Sequence, residues 1–513
     1  MSDESDSNAA NDLGSLRNDD ERDARYWDNL LDRAAEDAEL DEASDSGAEL
    51  NVEETVKRWR LAAESGDSKA MVCLGECFEE GAGVERNAEK AVGWYRRAAE
   101  AGESTGMVFL GLCYQNGDGV ERNYEEAVKW FRRAAEVGES KALIYLAQCY
   151  KYGHGVEQNP EEAIELYRRA ADSGELTASY LLGICYEEGV GVEENLEEAV
   201  NWYRRAADAG ESMGMIALGC CYERGAGVEQ SMEEAVQWYR RAAEAGESRA
   251  AFFLGVCYER GVGVEQSWEE AVKRYRQAAE AGDLDAAFNL GNCFLNGEGV
   301  AQDYAEAVKW YRQAAEAGES DAAFNLGVCY EHGYGVEQSW EEAANWYRQA
   351  VDGGCSSALF VLGNCYFNGS GVVQDYAEAV NLFRQGSEAG DPKATCLLAR
   401  CYQVGLGVEL DYAEAARLYR QAAEAGDESA MNNLGECYET GEGVERNMEE
   451  AIAWYRRAAE AGLSFALFSL GECYENGRGV ERNLEEAIKL YRQAAADGVE
   501  EATAALERLG EEL

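Results

Sequence analysis

The sequence predicts an all-α protein, an α-α solenoid wound as a right-handed superhelix. Three observations carry that expectation. A motif of the form LGxCYxxGxGV returns every 36 residues, as LGVCYERGVGV from 254 and again as LGVCYEHGYGV from 326. Apolar positions within it fall at helical spacing. The 513 residues contain only two prolines, Pro160 and Pro392, in a background rich in Ala, Glu, Arg and Leu, which suits helices. A fixed period of this length belongs to helix-turn-helix modules that stack on their neighbours.

In chain order, residues 1–22 are rich in Ser, Asp and Asn and are expected to be a disordered acidic tail. Residues 23–67 are expected to form N-terminal capping helices. The stretch RYWDNLLDRAAEDAEL (25–40) is amphipathic through Trp27, Leu30, Leu31 and Ala34. It either packs on the first repeat or acts as a detachable partner-binding or self-capping helix. NVEETVKRWRLAAESG (51–66) has Trp59, Ala62, Ala63 and Gly66 at the offsets of a repeat's second helix.

Twelve 36-residue helix-turn-helix repeats then occupy 68–498. Taking the Gly of LGxCY as origin, they are centred on Gly75, Gly111, Ala147, Gly183, Gly219, Gly255, Gly291, Gly327, Gly363, Ala399, Gly435 and Gly471, repeats 1 to 12 below. Leu precedes every origin, Tyr or Phe follows three residues later, and a small residue stands five before. These spacings mark one face of a leading helix. The first Gly of GxGV ends that helix in a left-handed residue, the second permits a tight turn, and Val packs back on the core. Asn, Ser or Asp stands three residues after the Val in every copy (Asn87, Ser267 and Asp303 among them), with Glu three further on in all but the first, where Lys90 stands. That is a capping box opening a trailing helix, and Pro160 sits at its first position, where proline is welcome. The trailing helix carries Ala, an aromatic pair such as Trp94-Tyr95 and an Ala-Ala pair, and closes at Gly102 and its equivalents. GxGV is therefore a helix–helix turn; a dinucleotide fingerprint needs a preceding strand and a third glycine. Residues 499–513 are expected to form a C-terminal capping helix, EEATAALERL, whose Leu506 continues the Leu column.

The formal net charge of −54 repels nucleic acid and anionic lipid, which bind through Lys and Arg. It fits basic proteins or basic segments as partners, and equally a solubility adaptation. No apolar run nears the length of a membrane span. The opening MSDESDSNAANDLG has no basic region followed by an apolar one, so no signal peptide is expected and a cytoplasmic location is the default. Twelve of the sixteen cysteines, Cys77 to Cys473, recur every 36 residues. Equivalent helices in a stack lie ~10 Å apart, too far for disulfides, so these are small core residues suited to a reducing compartment. Two histidines, His154 and His332, fall in loop positions five repeats apart. They build neither a triad nor a metal site, and no cofactor is expected.

The pattern AxxxLGxCYxxGxGVxx(N/S/D)xxEAxxWYxxAAxxG resembles the Sel-1-like repeat family, relatives of the tetratricopeptide repeats, over roughly residues 51–510. The resemblance implies a curved helical stack and an adaptor holding other proteins together. It points to a protein–protein interaction scaffold that binds peptide segments of partners in its concave groove, and not to an enzyme. Cysteine-rich secreted relatives carry a second Cys per repeat and have been linked with β-lactam recognition or hydrolysis; this chain lacks that second in-register Cys. A β-lactam-recognising hydrolase and a structural or regulatory arm of a larger complex stand as alternatives.

Selectivity has to lie where the copies differ. Positions two before, one after and five after the origin share a face of the leading helix turned from the Leu/Tyr core. The first two read apolar in the N-terminal half and Asn-rich in the C-terminal half. Asn offers both donor and acceptor, which suits holding an extended main chain. Asn289, Asn292, Asn325, Asn364 and Asn433, with Arg400 in the same columns, are the candidate peptide clamp. Phe109, Leu112, Tyr145, Leu181, Phe253 and Val256 are the candidate apolar seat for a second segment.

Overall fold

The structure, a computed structural model, describes residues 52–511. The 1–22 tail and the amphipathic stretch 25–40 lie outside the described residues. Among those described there are 26 helices and no strand. Val52–Ser65 comes first, the twelve repeats follow as helix pairs from Ser68–Glu80 and Ala88–Glu100 to Ser464–Asn476 and Leu484–Ala496, and Glu500–Leu509 comes last. The described residues divide into two compact units, 52–238 and 239–511, with the boundary inside the helix Met232–Glu244. Nothing in the 36-residue period marks this division. Within each unit, consecutive repeats stack side by side as an all-α solenoid.

Helix ends follow local chemistry. Gly81 closes the first leading helix at φ +81°, its N–H reaching the Cys77 carbonyl, because a residue with a Cβ is strained there. Asn87 opens the trailing helix by accepting the Lys90 N–H at 2.9 Å, and the Ser and Asp equivalents do the same. The capping box, however, is only half made. The N–H of Asn87 donates to the Phe78 carbonyl at 2.7 Å, and that of Asn123 to the Tyr114 carbonyl at 2.8 Å. The turn folds the cap back onto the leading helix, so the third-position Glu has no cap N–H to take. Glu126 instead pairs with Lys129 at 2.6 Å. Leading helices have their own caps, such as Asp67, which accepts from Lys69 and Ala70.

The core of each repeat is built around one ring, origin plus twenty. Tyr95, Tyr167, Tyr203, Tyr239, Tyr275, Tyr311, Tyr347, Tyr419 and Tyr491 are fully buried, with Phe131 and Phe383 in the same column. The origin glycine, replaced by Ala147 and Ala399 in two repeats, leaves room for this ring. A Cβ on Gly255 would stand 2.6 Å from the Tyr275 ring.

Most neighbouring repeats are joined by one recurring bond. Arg96 donates to the Tyr114 hydroxyl of the next repeat at 2.9 Å, and Arg132–Tyr150, Arg312–Tyr330 and Arg348–Tyr366 repeat the bond at 3.1, 2.8 and 3.0 Å. Where Phe294 replaces the tyrosine, Arg276 stands over its ring at 5.6 Å, a cation–π contact in place of a hydrogen bond. Arg60 of the first helix stands likewise over Phe78 at 5.9 Å. The second loop glycine also belongs to the junction. A Cβ on Gly119 would overlap the carbonyl of Ala88 in the previous repeat. Its role is close approach as well as turn geometry.

Candidate functional site

The variable columns of the leading helices do not simply face away from the core; several of their side chains reach the core ring of the preceding repeat. Phe109 stacks on Tyr95 of the preceding repeat at 5.0 Å, and Tyr145 on Phe131 at 5.3 Å. Phe253 stacks on Tyr239 at 5.2 Å. Each of these rings thus spends one face on the neighbouring module and remains half-buried. Leu112 and Leu181 are likewise half-buried against the core, and Val256 is half-buried.

The asparagines differ in how far they are committed. Asn292 accepts from the Tyr311 hydroxyl at 2.6 Å and from Asn325 Nδ2 at 3.2 Å. In at least six of the twelve repeats the buried tyrosine instead donates to a Glu four residues after the origin, as Tyr347 does to Glu331 at 2.5 Å. Repeat 7 has Leu295 at that place, and Asn292 supplies the missing acceptor. Asn292 and Asn325 are therefore held by the fold. Asn289, Asn364 and Asn433 are half-buried. Asn433 also hydrogen-bonds the thiol of the buried Cys396, and Arg400, exposed, lies near that thiol. In the first unit, Gln148 stands in the column of Asn292 and is buried with Oε1 unpartnered.

A pocket of about 490 Å³ opens between the leading helices Ser320–His332 and Ser356–Asn368 of repeats 8 and 9. Val328, Val361 and Asn364 from the variable columns line it, together with Glu331, Trp340 and Phe360. Of the candidates named from sequence, it takes in Asn364. Trp340 was missed because its column, the first residue of the trailing helix, reads as a capping position; its 41% exposure marks it as a large ring left open.

The groups that could do chemistry are held away from it. All sixteen cysteines are free thiols. Burial pushes the thiols of Cys77 and Cys149 up to about 12 and that of Cys185 up to about 11, away from the nucleophilic thiolate. Burial, with the hydrogen bond to Glu259, pushes the Tyr275 hydroxyl far above its ordinary range. His154 lies between Tyr124 at 4.7 Å and Tyr152 at 5.7 Å. His332 is not in the loop but ends a leading helix, its Nδ1 3.1 Å from the Val328 carbonyl and its ring stacked on Tyr334. Among the described residues no three His, Cys, Asp or Glu side chains gather as metal ligands. No described helix is long and apolar enough to cross a membrane. The hydrolase alternative gains no support from these groups.

A family profile described as Sel1 repeat matches twelve consecutive stretches of the chain, from 68–103 to 464–499. Among solved structures, a protective antigen present in uropathogenic Escherichia coli strains is similar, with 33% identity and a TM-score of 0.59 over 89% of this chain and 98% of its own. A Sel1 repeat protein from Oxalobacter formigenes shares 29% identity over 62% of this chain and 95% of its own, with a TM-score of 0.47. No curated protein matches the sequence.

Proposed function

The chain belongs to the Sel1 repeat family, whose members and their tetratricopeptide-like relatives are generally protein-interaction scaffolds, and from that membership we propose that it binds an extended peptide segment of a partner protein along the variable columns of its second unit. The observation that carries this reading is the row of half-buried amides, Asn289, Asn364 and Asn433, on one side of the leading helices, with a pocket open beside Asn364. Each amide can give and take a main-chain hydrogen bond, and a stack of equivalent helices repeats that offer at regular intervals. Phe109, Leu112, Tyr145 and Leu181 give the first unit a half-buried apolar strip, where a second segment can rest on the ring faces and edges not used by the neighbouring repeat. The acidity of the chain, −54, favours segments of positive charge.

The test removes amides the fold does not use. Asn289→Ala and Asn364→Ala, combined in the full chain, are expected to weaken partner capture by about tenfold, the scale of two lost hydrogen bonds. Their helical circular dichroism should match the parent. Unchanged capture by the double variant defeats the groove reading.

A further inference from the structure

The Glu four residues after the origin does more than receive the buried tyrosine. In several junctions its carboxylate also meets an arginine of the chain itself. Glu187 is met by Arg224 at 2.9 Å, five residues after the next origin. Glu439 is met by Arg478, seven after the next origin. Glu475 is met by Arg508 of the last helix at 2.8 Å. Repeat 3 makes the pair with its charges exchanged, Lys151 facing Glu188 at 3.6 Å. The space between one repeat's carboxylate and the next repeat's helix end is therefore a place for an ion pair.

Between repeats 8 and 9 that place is empty. Asn368 stands where Arg224 stands, and Ser370 where Arg478 stands; both short side chains line the 490 Å³ pocket, with Glu331 in its wall. One Glu331 oxygen accepts from Tyr347, and the other has no partner among the described residues. Neither Lys nor Arg lines the pocket. Trp340 and Phe360 line the pocket, aromatic residues of the kind over which a guanidinium stacks. Elsewhere in the unit, Leu295, Phe367 and Gln403 replace the carboxylate in repeats 7, 9 and 10, while repeat 6 keeps Glu259 and Trp268 but has Arg260 in place of His332 and is followed by Glu298 in place of Ser370.

We propose that the pocket between repeats 8 and 9 receives an arginine side chain of the bound partner, which pairs with Glu331 and stacks on Trp340 in the position that the chain's own arginines fill at other junctions. This rests on the peptide-binding reading above and names the side chain that fixes the peptide's register.

Three substitutions have precedent within the chain and are expected to fold, as helical circular dichroism checks. Glu331→Gln keeps an acceptor for Tyr347, as Gln403 does for Tyr419 at 2.7 Å. Trp340→Leu copies Leu196 and Leu484 of the same column. Asn368→Arg supplies an internal arginine, as Arg224 does for Glu187. The probe is a random twelve-residue peptide library selected on the full chain at 0.15 M salt. Selected peptides are expected to share an arginine at one place. Replacing it by neutral citrulline, or testing the parent peptide on Glu331→Gln or Asn368→Arg, should each cost about ten- to a hundredfold in affinity, the range of a charge-assisted hydrogen bond. Trp340→Leu should weaken binding less. Peptides that lose affinity on Asn289→Ala but bind Asn368→Arg as tightly as the parent overturn the arginine pocket and leave the groove. Selection of no peptide above background overturns both.

Discussion

Tyr275 donates its hydroxyl to Glu259 at 2.5 Å inside a fully buried ring environment, and the other repeats show how strictly that hydroxyl is provided for. Tyr419 uses Gln403 and Tyr311 uses Asn292. Where an apolar Phe367 occupies the Glu position, the buried ring is Phe383, and the two rings pack at 6.3 Å. In repeat 9 partner and hydroxyl are lost together, while Lys151 with Tyr167 and Gln115 with Phe131 depart from that pairing in repeats 3 and 2; a buried hydroxyl without an acceptor costs about 1–3 kcal/mol. Glu259→Leu is accordingly expected to destabilise the chain by about that amount. Adding Tyr275→Phe should recover most of the loss, as read from urea midpoints of the two variants. Equal losses in the single and double variants would contradict this account. Asn292 shows why the candidate clamp was only partly legible in the sequence. Its column suggested an open amide, but the substitution that commits it, Leu295 in place of Glu, matters only once Tyr311 is known to lie beside it.

At the level of single elements, helices and turns were almost fully legible, since caps and glycines are local signals. The loop glycines carried a further constraint that no local signal reveals. Gly443 has φ +73°, and a Cβ there would overlap the Tyr412 carbonyl of the preceding repeat. Gly93 sits in the helix Ala88–Glu100, exposed, with open space where a Cβ would go. Gly443→Ala is expected to destabilise by more than about 2 kcal/mol, combining backbone strain with a clash. Gly93→Ala should stabilise by about 0.5–1 kcal/mol, the helix-interior cost of glycine. Thermal unfolding of the two variants checks the opposite signs. The half-made capping box has the same lesson. Spacing identified Asn87 as the cap, but which group its own N–H would meet depended on how tightly the turn returns to Phe78.

Over the whole molecule, the thiol column turns a residue property into a collective one. Burial lifts Cys77, Cys149, Cys221, Cys293 and Cys437 to about 12, and Cys185, Cys329, Cys365, Cys401 and Cys473 to about 11. A group raised on folding contributes stability that is complete below its unfolded value, near 9 for a thiol, and is lost as pH climbs towards the folded one. Between those limits each such thiol costs about 1.4 kcal/mol per pH unit, and the raised tyrosines act in the same direction. Urea midpoints measured under reducing conditions should hold from pH 7 to 8.5 and fall steeply between pH 9 and 11. A flat profile across that interval would refute the buried-thiol column. The repeat number and the stacking were readable from spacing alone. The division at 238/239 was not, because it interrupts no period.

The bond from Arg96 to Tyr114 and its copies at steps of 36 residues have a consequence for inheritance. A crossover between corresponding codons of two modules removes or adds a whole number of them, and the new seam inherits the arginine, tyrosine and loop glycine of the old ones. Such exchanges leave the folding chemistry of the seam intact while bringing a different pair of variable side chains face to face. Duplication and loss of modules are thereby a route by which descendants of this chain acquire new binding preferences without first passing through an unfolded ancestor.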